Sequence, residues 1–162
     1  MMWVCRAGQK SIYAQYYFES GKIYIPWDEF KKDLKKYDDR ALLKELVIKE
    51  KGEVSRTSIS NWAGQLYTFC QEMTIGDYVL IPSNSSRLFT LARVAGDYEY
   101  NPQNKKGLWH SRDIEIVERD IPSSIFLQSV RYSLGAYRTI FRAKNEEDIL
   151  ASINRYMEKK KG

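Results

Sequence analysis

Chemistry in this chain has few places to sit: there is a single histidine, His110, and there are two cysteines, Cys5 and Cys70. One histidine rules out a multi-histidine metal centre, and two distant cysteines without a CxxC pair rule out a cysteine zinc site and a disulfide scaffold. A Ser-His-Asp triad or a Cys-His dyad would need His110, and both cysteines fall in apolar stretches that bury a thiol and keep it unreactive. No metal, no cofactor and no catalysis by the chain itself are therefore expected. The residues in excess are aromatic, 14 % of the chain with 12 Tyr and 4 Trp, and many stand beside Gly, Asn, Ser or Pro rather than in core periodicity. Flat rings interleaved with cations suit nucleic acid, because any base offers a face to stack on and any phosphate a charge to neutralise.

Trp27 ends an apolar run just before Asp28, a position at a barrel rim where the ring would stack on a base. The alternative is a core tryptophan closing a barrel end. Ser60 or Asn61 reads as the cap of a helix with Trp62 behind it. Free N–H groups there, and the Asn61 amide, would meet a phosphate or a base edge; the plainer reading is that they only cap and pack. Tyr98, Tyr100 and Trp109 flank a loop of Asn and Lys. It reads as a stacking platform with phosphate contacts from Lys105 and Lys106, or as an ordinary loop with surface tyrosines. His110 adjoins that group; it reads first as a structural histidine and second as part of the base pocket. Arg6, Lys10, Arg56 and Arg112 complete the candidate phosphate contacts. Net charge is +5, but Arg155, Lys159, Lys160 and Lys161 against Glu158 supply +3 of it in the tail, so bulk charge alone argues little.

Periodicity and turn residues set out the elements that must position these groups. Strands are predicted over 2–6, 22–27, 78–81, 89–94, 112–117 and 137–143, the second stopped by Pro26. Helices are predicted over 12–19, ended by Gly21; from Asp28 through Phe30, Leu34 and Tyr37; over 39–49; over 61–73; over 121–127; and from the Asn145 cap to the tail. Residues 53–60 and 98–109 read as polar loops. Six short strands among these helices do not alternate regularly, which predicts an α+β fold, a small mixed barrel flanked by helices, rather than a doubly wound parallel sheet. A length of 162 residues suits one domain, with a basic helical tail from about residue 145.

The ordered set Trp3-Val4-Cys5-Arg6-Ala7-Gly8, Ile25-Pro26-Trp27, Asn61-Trp62-Ala63-Gly64-Gln65-Leu66-Tyr67-Thr68-Phe69, Met73-Thr74-Ile75-Gly76-Asp77-Tyr78-Val79, Ala95-Gly96-Asp97-Tyr98-Glu99-Tyr100 and Trp109-His110-Ser111-Arg112 resembles the N-terminal domain of Mrr-type modification-dependent restriction endonucleases. That domain is similar to the PUA-like modules, which include EVE, YTH and SRA. The resemblance runs from residue 3 to about 143. It implies a PUA-like barrel with a pocket that receives a modified base flipped out of nucleic acid, DNA in preference to RNA, and a nuclease module or subunit as partner. Two departures stand out. Pro26 occupies a place where the family often has glycine, and the nuclease motif is missing: Lys49-Glu50-Lys51 is a Glu-x-Lys fragment at a helix end without a partner carboxylate.

The leading expectation is thus a reader of a modified base that gives specificity to a restriction or defence nuclease. The alternatives are an enzyme acting on nucleic acid through a site of unfamiliar form, and a module that binds a nucleotide or a protein. No apolar run approaches the ~18 residues that cross a bilayer, so no membrane partner is expected. The N-terminus lacks the basic and apolar regions of a secretory signal, and the cysteine usage suits a cytoplasmic protein.

Overall fold

The computed structural model describes residues 1–52, 54–136 and 138–162; the side chain of Lys106 also lies outside the described part. The described residues form seven strands and five α-helices. In order these are β1 (Met2–Cys5), α1 (Ala14–Ser20), β2 (Lys22–Ile25), α2 (Arg40–Lys51), α3 (Arg56–Tyr67), β3 (Tyr78–Ser83), β4 (Leu88–Val94), β5 (Glu99–Tyr100), β6 (His110–Pro122), α4 (Gln128–Leu134), β7 (Ile140–Arg142) and α5 (Glu146–Lys161). The sheet runs β2-β6-β4-β3-β1-β7, with the two-residue β5 paired to β6. The β1–β3 pair is parallel and the others are antiparallel. The sheet curls into half a barrel, and the Cys5 Sγ on β1 reaches the Tyr24 carbonyl on the edge strand β2 at 3.8 Å across its interior. The α+β class, and a barrel of PUA-like form flanked by helices, follow.

Two-residue alternation sends the strand side chains to two cores. Trp3, Cys5, Val79, Ile81, Ala92 and Val94 face inward, where Leu66 and Phe69 from the α3 region cover them. Met2, Val4, Leu80, Phe89 and Leu91 face outward, onto Val130 and Leu134 of α4 and Ile149 and Ile153 of α5. Among the described residues no helix is long and apolar enough to cross a membrane.

Several predicted boundaries move. The segment after Asp28 is not helical. Phe30 and Leu34 are fully buried, but the backbone is held by turns and by the Tyr98 hydroxyl, which accepts from Leu34 N at 3.0 Å. The four-residue spacing there marks two loop anchors rather than a helical face. Residues 121–127 finish β6 and turn, and the helix follows as α4. Tyr137, at the start of the last predicted strand, lies outside the described residues; the strand is Ile140–Arg142. The terminal helix forms, but Asn145 makes no side-chain cap, and Glu146, Glu147 and Asp148 in the first turn answer the helix dipole instead.

Candidate nucleic-acid interface

A hollow of about 550 Å3 opens where the curled sheet leaves its two edges apart. Pro26 and Trp27, just beyond β2, form one side; Arg138 and Thr139, just before β7, form the other; Trp62 of α3 lies at the back. Arg6, Gly8 and Lys10, from the loop after β1, complete the wall. Gly8 has φ +79°, and a Cβ there would stand 2.7 Å from the Tyr13 ring, so only glycine lets the loop fold back against α1. Lys10 and Ser11 hold left-handed φ values of 54° and 59°. The Ser11 hydroxyl donates to the Pro82 carbonyl at 3.0 Å and Tyr13 N donates to Ala7 O at 2.9 Å, which fix that loop. Left-handed backbone at residues other than glycine costs about 1–3 kcal/mol each and persists only where surrounding contacts such as these fix it.

The rings themselves are held from behind. Trp27 and Trp62 are 4.4 Å apart between centroids, and each leans on the buried Phe30, at 6.2 and 5.9 Å. A base sandwiched between two rings needs them about 7 Å apart, twice the usual carbon–carbon contact, so nothing fits between this pair. Lys51 Nζ, paired with Glu29 at 2.9 Å, stands over the Trp62 ring at 3.2 Å. That leaves Trp27 as the better face for an incoming ring.

The remaining candidates separate. Ser55, not Ser60 or Asn61, caps α3, its hydroxyl accepting from Ser58 N at 3.1 Å. Ser60 and Asn61 therefore lie inside the helix with their N–H groups spent. Both line an adjoining hollow of about 470 Å3, with Arg40, Arg138 and Arg142. Tyr98 and Tyr100 stack on His110 at 5.8 and 5.4 Å, and none of the three lines the Trp27 hollow. Trp109 takes Lys31 over its ring at 5.1 Å. Arg112, 3 % exposed, is no phosphate ligand: its guanidinium donates to the carbonyls of Phe69, Met73 and Gly96. Arg56 and Lys105 are exposed on other surfaces, and Lys106 has no described side chain.

His110 is 0 % exposed and is a core residue, not a pocket wall. The Phe30 carbonyl can only accept, so Nε2 carries the proton and donates to it at 2.6 Å. Nδ1 then accepts from the Tyr98 hydroxyl at 2.6 Å. Burial pushes its pKa from the ordinary 6.5 down to about 4. Because the folded state resists the proton, stability is intact above pH 6.5 and falls as the pH drops toward 4, by roughly 3 kcal/mol at about 1.4 kcal/mol per pH unit. Denaturant titrations across that range should show this slope, and His110→Gln should flatten it. Burial also raises both thiols, Cys5 to about 12 and Cys70 further still.

Residues 2–142 match the family model described as Domain of unknown function (DUF8426). The chain belongs to that family. No curated protein matches it. Among solved structures it is similar to protein Atu2648 from Agrobacterium tumefaciens, at 15 % identity and a TM-score of 0.43, covering 95 % of this chain and 91 % of that one. It is also similar to Rpa0253 from Rhodopseudomonas palustris, at 13 % identity and a TM-score of 0.40, covering 94 % and 90 %. Likeness at that level adds nothing to the assignment of fold or function.

Arg138 stands out in this family member because it lines three neighbouring hollows, and sequence reasoning passed over it. The signal was there in the spacing of charges. Residues 121–145 contain four cations, Arg131, Arg138, Arg142 and Lys144, and no Asp or Glu.

Proposed function

We propose that the chain is a binding module that holds one modified base of a nucleic acid, DNA in preference to RNA, in the hollow in front of Trp27. On this reading it lends specificity to a restriction or defence nuclease carried elsewhere, as its resemblance to the Mrr-type domains implies. The observation that carries the reading is the hollow itself: a tryptophan wall, Arg6, Lys10 and Arg138 around it, and no carboxylate among its described lining residues. Stacking one base on an aromatic face contributes ~1–3 kcal/mol. That offsets the few kcal/mol needed to extrude the base, with the flanking cations neutralising its phosphates. Only one ring face is open, so shape and edge contacts must supply much of the selectivity. Binding rather than catalysis is also favoured by His110, whose ring nitrogens are both engaged, and by thiols that burial holds protonated.

The reading is tested by titrating the protein with oligonucleotides identical except at one base: unmodified, methylcytosine, hydroxymethylcytosine or methyladenine. One modified form should bind at least about fourfold more tightly, the equivalent of ~0.8 kcal/mol for one buried methyl group, and every form should weaken with added salt. Equal affinity for all four would remove the base-reading function.

A further inference from the structure

Two stretches of the sequence lack carboxylates altogether, residues 1–18 and 121–145. Strand pairing joins them: β1 and β7 are antiparallel neighbours with Trp3 opposite Arg142, and Arg6 N donates to Thr139 O at 2.7 Å. The union gathers six cations, Arg6, Lys10, Arg131, Arg138, Arg142 and Lys144, while the rest of the chain is nearly neutral. Beyond Arg138, and away from Trp27, lies a hollow of about 560 Å3 whose described lining holds Arg131, Arg138, Arg142 and Lys144 and no acid. Tyr132 is also in that lining and is 88 % exposed, while the flanking Val130 and Leu134 of α4 are buried. Packing therefore gives no reason for a tyrosine at that place.

The geometry points to a track for single-stranded nucleic acid, in which the strand carrying the recognised base continues from the Trp27 hollow over Arg138. Its phosphates then meet Arg131, Arg142 and Lys144, and Tyr132 stacks on a neighbouring base. The inference rests on the proposed nucleic-acid function and adds the form of the ligand. Charge of one sign, with no carboxylate among the described residues lining either hollow, suits a polyphosphate chain. An exposed ring among those charges selects single strands, because a duplex keeps its base faces stacked and out of reach.

The test uses the full chain and labelled oligonucleotides of three and ten nucleotides, each centred on the preferred base, and the ten-nucleotide duplex, at salt from 50 to 300 mM (about the range where counterion release is resolved). The single-stranded ten-mer should bind roughly tenfold or more above the three-mer, from added phosphate contacts. Arg142→Gln with Lys144→Gln should lower ten-mer affinity about tenfold and leave the three-mer unchanged. It should also reduce the salt slope by about 1.4, at about 0.7 per phosphate contact on a single strand. Tyr132→Ala should cost the ten-mer between about five- and a hundredfold. All three side chains are exposed, and matched melting temperatures confirm the fold. Wild-type ten-mer affinity in both variants overturns the track, as does a duplex that binds as well as the single strand and ignores Tyr132→Ala. A wild-type protein that binds the ten-mer through these residues but does not distinguish bases keeps the track and removes the base reader. Base discrimination in variants with undiminished affinity does the reverse, and no binding of any oligonucleotide sinks both.

Discussion

Arg112→Ala is expected to destabilise the fold by at least about 3 kcal/mol, a large part of the total for a domain this size. Arg112 reaches from β6 to the end of the α3 helical run, where the carbonyls of Phe69 and Met73 accept from its Nη1 at 3.2 and 2.6 Å. The last carbonyls of a helix have no partner within it, and a cation there also answers the negative end of the dipole. On its other side the same guanidinium gives Nε and Nη2 to the Gly96 carbonyl at 3.0 and 2.9 Å. One side chain thus ties a helix end, the loop after β4 and β6 together. Removing it leaves three carbonyls short of a donor, at about 1–3 kcal/mol for each that water does not reach. Arg112→Lys should recover only part of the loss, since a compact ammonium cannot span three separated carbonyls. Urea titrations should show the midpoint falling with little change in slope; an unchanged midpoint would mean that the cap is dispensable.

The same residue shows where sequence reasoning runs out. Arg112 beside a possible binding loop reads as a phosphate ligand, because nothing local reveals that β6 passes under a helix end. The strand at 78–81 was legible as a short continuous apolar run, and 89–94 from its alternation and the turn residues before it. The Leu66 and Phe69 face of the helical run that begins as α3 was legible from its helical spacing. Ser55 was missed as the cap because the stretch offers several Ser and Thr and any of them can cap a first turn. Trp27 and Trp62 were both candidates, yet their contact depends on α3 packing against the segment just beyond β2, which is a tertiary fact. Tyr98, Tyr100 and His110 share a stack for the opposite reason: they are cross-strand and near neighbours whose rings close the interior. Arg138 needed the pairing of β1 with β7 before its charge had neighbours.

Trp27→Ala should abolish the preference for the modified base. Its ring offers the open stacking face, whereas Trp62 already carries Lys51. Loss of the face removes ~1–3 kcal/mol of stacking from a bound base, about five- to a hundredfold in affinity for the preferred ligand. The half-buried ring also leans on Phe30, so the variant should be less stable but folded. Trp27→Phe, which keeps a smaller face, should retain part of the preference. Phosphate contacts lie elsewhere, so the salt slope should stay as in the wild type. The decisive measurement is the ratio of affinities for the modified and unmodified oligonucleotide, taken for the wild type and for Trp27→Ala under one salt condition. The account predicts a ratio of at least about four for the wild type, falling to one in the variant. A folded Trp27→Ala protein that keeps the wild-type ratio would contradict it.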